Sequence, residues 1–210
     1  MSGSARAGVA AAGLVLAAGS GSRLGQPKAL VAGADGVSWL AGALAVLRGG
    51  GCQPLYVVVG ASSEEVRREV PPDASVVVAE DWAEGMGASL RAGLRALTAQ
   101  EAEATTAVVM LVDTPDVTPD VVQRLLAPGL EPQALRRSSY HGIPGHPVVI
   151  GRDHWAGVID SAHGDRGARD YLAAHAVAHV ECADLASGAD IDTAHAFAAW
   201  QNARHHHAPH

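Results

Sequence analysis

The sequence predicts an α/β fold in which a mostly parallel sheet carries helices on both faces. Three observations predict it. Short apolar runs closed by turn residues alternate with helical patterns, the signature of βαβ units. The composition is 48% hydrophobic but only 4% aromatic, so Ala, Val and Leu must fill the core, which suits helices packed on buried parallel strands. A glycine-rich turn follows the first apolar run, at the head of the sheet, where such folds bind ligands.

Each element has its own reason. Ala10–Ala17 is a continuous run of small apolar residues and predicts the first strand. Leu55–Val59, closed by Gly60, predicts the second, Ser75–Ala79 the third, and Ala107–Val112, ending in Asp113-Thr114-Pro115, the fourth. His146–Ile150 and Ala176–Cys182 carry shorter or less continuous strand patterns. Helical spacing runs through Val37–Arg48, Ser63–Val70, Gly87–Ala99, Thr118–Leu126, Asp153–Ser161, Asp165–Ala174 and Thr193–Asn202. Ser62 with Glu65 has the spacing of a capping box, and Pro119 after Thr118 sits at a first helical position. Ala127–Gly145 is rich in Pro, Gly and Arg without periodicity and is expected to be a surface excursion or flap. One domain is expected over residues 10–200, between flexible tails at 1–9 and 201–210, the second carrying His205-His206-His207.

Bulk properties narrow the function. The net charge of −7 lacks the basic footprint of a nucleic-acid binder. The apolar segment Val9–Ala18 is broken by Gly13 and too short to span a bilayer. Cys52 and Cys182 are far apart and in no metal-ligand spacing, as expected of free thiols in a reducing cytoplasm. Among the 15 Lys and Arg residues there is a single lysine, Lys28, and it ends the run Leu16-Ala17-Ala18-Gly19-Ser20-Gly21-Ser22-Arg23-Leu24-Gly25-Gln26-Pro27-Lys28. Glycines let backbone N–H groups approach a phosphate, and lysine is a compact point charge suited to a phosphate oxygen. The spacing is one residue too long for a dinucleotide fingerprint, no acid closes the second strand, and Ala29 rather than Ser or Thr follows the lysine, so neither a Rossmann dinucleotide loop nor a Walker A loop is present.

Further motifs fall on the same predicted edge. Asp113 follows the fourth strand, where a carboxylate can hold Mg²⁺ with substrate phosphates, or can simply shape the turn before Pro115. Asp116 reads as a turn or capping residue. Asp190 and Asp192 alternate and share one face of an extended segment, so Asp192 is either a second metal carboxylate or a helix cap. Gly85 to Ser89 opens a helix with small residues, whose unpaired N–H groups can receive an anion or a base edge. The Gly145-His146-Pro147 bracket fixes the backbone around a histidine, and Gly164-Asp165-Arg166-Gly167-Ala168-Arg169 is a polar turn with two arginines placed to meet a second substrate.

Taken in order along nearly the whole chain, these motifs resemble the MobA-like nucleotidyltransferases, and most closely their molybdenum cofactor cytidylyltransferase branch. The resemblance implies a three-layer α/β/α, Rossmann-like fold. It implies an NTP bound by Leu16 to Arg23 (including Ser20 and Ser22), Lys28, Gly85, Ser89 and Asp113. Catalysis would rest on Arg23, Lys28 and Asp113, with Mg²⁺ on Asp113 and Asp192. Ala18 in Leu-Ala-Ala-Gly implies CTP rather than GTP. The implied reaction moves CMP onto a phosphorylated acceptor, molybdopterin, held by His146, Asp165 and Arg169, with a molybdoenzyme as eventual recipient of the product. Two other readings stay open: transfer to a sugar phosphate or phospholactate, and a non-catalytic chaperone for the pterin cofactor. An acceptor phosphate is already anionic near neutral pH, so no general base is needed.

Overall fold

The computed structural model describes residues 10–19, 21, 24–33, 36–193 and 195–197. The expected tails lie outside them, as do Ser20, Ser22, Arg23 and most of the last expected helix. One seven-stranded sheet is formed by β1 Ala10–Ala17, β2 Leu55–Val59, β3 Ala74–Val78, β4 Ala104–Leu111, β5 Leu135–Tyr140, β6 Ile143–Gly151 and β7 Ala178–Glu181, in the order β3-β2-β1-β4-β6-β5-β7. Only β6 runs against its neighbours, pairing antiparallel with β4 and β5.

The helices are α1 Trp39–Gly49, α2 Ser63–Glu69, α3 Met86–Gln100, α4 Pro119–Leu126, α5 Trp155–Ser161 and α6 Arg169–Ala173. Strand alternation sends side chains to two separate cores, which makes three layers. Val15 of β1, Val57 of β2 and Met110 of β4 pack with Leu40 and Leu44 of α1 and Val121 and Leu125 of α4. Leu14, Val58 and Val109, one position away, pack on the other face with Leu90 and Leu94 of α3, Trp155 of α5 and Leu172 of α6. β1 lies between β2 and β4, paired parallel to both. The chain fills one side of β1 and then crosses to the other, so a crevice opens at the carboxyl ends of β1 and β4, the switch point where open sheets bind ligands.

Residues 127–145, expected as a flap, instead contain β5 and the start of β6. The strand Leu135-Arg-Arg-Ser-Ser-Tyr has no apolar run, yet Arg136, Ser138 and Ser139 are buried. They are tolerated because they are paired. Arg136 donates to Leu125 O at 3.3 Å, Gly129 O at 2.6 Å and the Glu131 carboxylate at 2.6 Å, and Ser138 donates to Pro147 O at 3.1 Å. His141 and Gly142, at φ 52° and 77°, close the β5–β6 hairpin as the two-residue turn that matches strand twist. The capping box at Ser62 is not formed, since its hydroxyl makes no capping bond. Ser38, unnoticed in the sequence, caps α1 by accepting from Ala41 N at 3.2 Å.

Glu181 of β7 fastens this hairpin. Its carboxylate accepts from the N–H groups of His141 at 2.9 Å and Gly142 at 3.0 Å, and from Ser139 Oγ at 3.0 Å. These bonds, led by that from Gly142, hold its pKa at about 2, below the ordinary 4.5. A lowered native pKa adds stability that is complete above the unfolded value and is lost as pH falls. The melting-temperature gap between wild type and Glu181→Gln is therefore expected to be constant above about pH 5 and to shrink between pH 4.5 and about 2. Thermal melts across that range check it; a gap indifferent to acid would remove the clamp.

Candidate active site

Lys28 begins a single 3-10 turn, Lys28–Leu30, entered through Pro27. Asp113 follows the end of β4 directly. The two residues are 85 positions apart, yet Lys28 Nζ donates to Asp113 Oδ2 at 2.6 Å. Lys28 also donates to Asp192 Oδ1. Asp192 is brought there by its own backbone, because Ile191 N donates to Asp113 O at 2.9 Å and lays the 190–192 segment beside the strand end. Asp116 anchors the approach to that segment, accepting from Ser187 N at 2.6 Å and Ser187 Oγ at 2.5 Å, in keeping with a turn residue.

Lysine 28 and Asp113 are mostly enclosed, with side chains 21% and 14% exposed. Burial pulls the Lys28 ammonium down, but the hydrogen bonds and charges of Asp113 and Asp192 outweigh it and hold its pKa above the ordinary lysine value. Asp113 Oδ1 is buried and has no hydrogen-bond partner among the described residues. Asp190 feels desolvation first, then the negative charges of Asp113 and Asp192, which together push its carboxyl up to about 6 against the pull of Lys28 and Arg137.

Around this ion pair lies a cleft of about 360 Å³. Leu16, Ala17, Ala18, Gly19, Gly21, Lys28, Gly85, Ser89 and Asp113 all line it, so every nucleotide-site residue expected from the sequence and described in the structure is gathered there. Ser20, Ser22 and Arg23 lie outside the described residues. Gly21 has φ +62°, and a Cβ on it would come within 1.9 Å of Gln26 O, so the loop closes only on glycine. Gly85, at φ +123°, lets the start of α3 touch the turn at Gly164 and Asp165, 2.4–2.6 Å from where a Cβ would stand. No side chain caps α3. Arg91 ties the same junction, donating to both Glu84 oxygens at 2.5–2.9 Å and to Ala162 O at 2.5 Å.

A second cleft of about 220 Å³ shares Leu16, Met86, Leu111 and Asp165 with the first. His146, Asp165 and Arg169 line it, so the residues expected to hold an acceptor lie together beside the first cleft. Desolvation, then the neighbouring Arg137 guanidinium, hold the His146 imidazole down at about 4, so it is neutral at pH 7. Trp82 and Arg137 are lining residues that escaped sequence reasoning. Trp82, 37% exposed, walls the first cleft just after β3. Arg137 walls the second from β5. The position of Trp82 behind a strand was a usable signal; Arg137 had none, because its strand was not recognisable.

The chain has counterparts among known proteins. Residues 13–180 match the family described as the MobA-like NTP transferase domain. The chain is 35% identical over 196 residues to nicotine blue oxidoreductase of Paenarthrobacter nicotinovorans, covering 86% of this chain and 91% of that protein. The crystal structure of Rv0371c from Mycobacterium tuberculosis H37Rv is 30% identical, covers 92% of this chain and 98% of its own, and superposes with a TM-score of 0.76. A structure of Rv0371C in complex with manganese (27% identity, TM-score 0.74, 92% and 98% covered) is similar as well. Molybdopterin-guanine dinucleotide biosynthesis protein A from Archaeoglobus fulgidus, at 18% identity and a TM-score of 0.64 over 92% of this chain and 98% of its own, shares the fold. With a family match spanning most of the sequence and a solved structure of 30% identity that shares the fold, the chain belongs to the MobA-like NTP transferase family.

Proposed function

We propose that the protein is a cytoplasmic nucleotidyltransferase that moves CMP from CTP to the phosphate of a molybdopterin-type acceptor, with Mg²⁺ as cofactor, for delivery to a molybdoenzyme. The observation that carries the reading is the meeting of Lys28 with Asp113 and Asp192 at the mouth of one cleft. The loop amides from Ala18 onward and the uncapped start of α3 at Gly85 to Ser89 would position the triphosphate. Lys28, with Arg23 beside it in sequence, would neutralise it. An acceptor phosphate oxygen attacks the α-phosphorus; that P–O bond forms as the bond to the bridging oxygen breaks, and pyrophosphate leaves with the electron pair. His146, Asp165 and Arg169 would hold the acceptor in the adjoining cleft.

The residues fit a divalent cation. Asp113 Oδ1 is buried without a partner, and the carboxylates of Asp113 and Asp192 already converge on a single cation, the Lys28 ammonium. Hard carboxylate oxygens with substrate phosphates are the usual Mg²⁺ donors. Bound there, Mg²⁺ supplies charge neutralisation and orientation of the triphosphate.

Trp82 presents an indole wall to the first cleft and is suited to stack on the nucleobase. Stacking of a base on an aromatic ring contributes about 1–3 kcal/mol. Trp82→Ala is therefore expected to raise KM for the nucleotide roughly tenfold while kcat changes little; unchanged KM removes the stacking role.

The whole reading is tested by thermal shift with each of the four NTPs plus Mg²⁺, followed by pyrophosphate release with molybdopterin, sugar phosphates and phospholactate as acceptors. CTP should raise the melting temperature most, since a ligand that binds only the folded state stabilises it. No shift with any NTP overturns the reading. NTP binding without turnover on any acceptor favours the chaperone, although a chaperone has no need of both Lys28 and Asp113.

The 35% identity to an oxidoreductase supports a second reading, in which the first cleft holds a redox dinucleotide. Against it, β2 ends in Val59-Gly60, with no acid there to hold a ribose. Oxidation of a reduced nicotinamide dinucleotide by nicotine blue, without NTP, would favour it.

A further inference from the structure

We propose that Arg137, with Arg169, forms the anion grip that takes the phosphate monoester of the second substrate and sets which acceptors are used. The inference deepens the nucleotidyltransferase reading, and its second-substrate part rests on that reading. The grip itself rests on charge placement.

Adjacent arginines on β5 have opposite fates. Strand alternation turns Arg136 into the protein, where carbonyls and Glu131 occupy it. Arg137 faces the second cleft. It donates only to two backbone carbonyls, Gly145 O at 2.9 Å through Nε and Pro144 O at 3.4 Å through an amino group. Desolvation and then the repulsion of Arg169 work against its charge, and the weaker attraction of Asp190 does not offset them. Arg169 makes no hydrogen bond or ion pair with any described residue. Arg166, on the same turn, is already taken by Asp170 at 2.6 Å. Arg137 is thus half-buried, the exposed Arg169 is near enough to repel it, and among the described residues no carboxylate is in ion-pair reach of either.

Such an arrangement costs stability unless an anion completes it. The fixed fork of arginine pairs with phosphate through two parallel hydrogen bonds, and the Nε bond to Gly145 aims that fork. Neutral His146 stands next to it with no ring hydrogen bond among the described residues, so it can read a donor or acceptor beside the phosphate. The cleft adjoins Asp113 through the shared Leu111 wall, which places a gripped phosphate beside the triphosphate.

Inorganic phosphate is the probe, titrated by calorimetry into the full chain at low ionic strength. Wild type and Lys28→Met should both bind it. Arg137→Met and Arg169→Met should each weaken it at least about tenfold, the scale of a lost charge-assisted pair. Arg137→Lys, keeping charge without the fork, should recover only part of the affinity. Equal binding by wild type and folded Arg137→Met overturns the proposal, as does binding abolished by Lys28→Met yet kept in Arg137→Met. Should Arg137→Met not fold, unchanged binding by Arg169→Met, altered on an exposed turn, overturns it equally. A parallel titration with CTP and Mg²⁺ separates the two ideas. Phosphate binding that depends on Arg137 without any nucleotide binding sinks the transferase reading and keeps the grip. Nucleotide binding with phosphate indifferent to Arg137 sinks the grip alone.

Discussion

Lys28→Ala is expected to lower kcat/KM at least about a hundredfold, the scale of losing one preorganised electrostatic group. The size follows from what the ammonium opposes. Transfer brings an anionic acceptor up to a triphosphate, and a positive charge about 4 Å from one of those anions contributes on the order of 4 kcal/mol at an effective dielectric near 20. No other lysine exists in the chain to substitute. Removing the ammonium also leaves Asp113 and Asp192 facing each other without the cation that now joins them. Steady-state pyrophosphate release with CTP and acceptor measures the effect; turnover near wild type would take Lys28 out of the chemistry. Lys28→Arg keeps the charge but exchanges a compact ammonium for a planar fork and should recover only a fraction.

Asp113→Asn should cost at least as much, about a hundredfold to a thousandfold in kcat, with a large rise in the metal concentration needed for half-maximal rate. The carboxylate sits directly after β4, one oxygen on Lys28 and the other buried without a partner. An amide preserves the shape and the lysine hydrogen bond while removing the charge. Calorimetric titration of Mn²⁺ in the presence of CTP provides a readout independent of turnover. Equal metal affinity in the variant would move the cation elsewhere.

Much of this architecture could be read from residues alone, and the reason differs by region. The buried parallel strands β1, β2 and β4 are continuous Ala/Val/Leu runs because both their faces meet helices, so they announce themselves. Their ends were recognisable because Gly19, Gly60 and Asp113 break the runs. The described residues expected on the nucleotide side line one cleft because they follow strands that all point one way. β5 stayed hidden for the opposite reason. Its buried members are Arg136, Ser138 and Ser139, paired through tertiary hydrogen bonds that no local pattern encodes, and Arg137 was lost with it. The bridging of Lys28 to Asp192 is set up by the backbone bond from Ile191 to Asp113 and the Ser187–Asp116 anchor, which sequence spacing also leaves unseen.

The reversed strand gives the two halves of the crevice different freedom to change. Val109 of β4 pairs with Val148 of β6, so carrying that register onward sets Leu111 against His146 and leaves Ile143 to Gly145 beyond the end of β4. At about 3.3 Å per residue the hairpin overhangs its neighbour by roughly 10 Å. A hairpin lengthens or shortens two residues at a time without turning its side chains over. Evolution can thus raise or lower this parapet, and with it the room for a bulkier or smaller partner molecule, while the opposite bank that carries the glycine loop and Lys28 stays untouched.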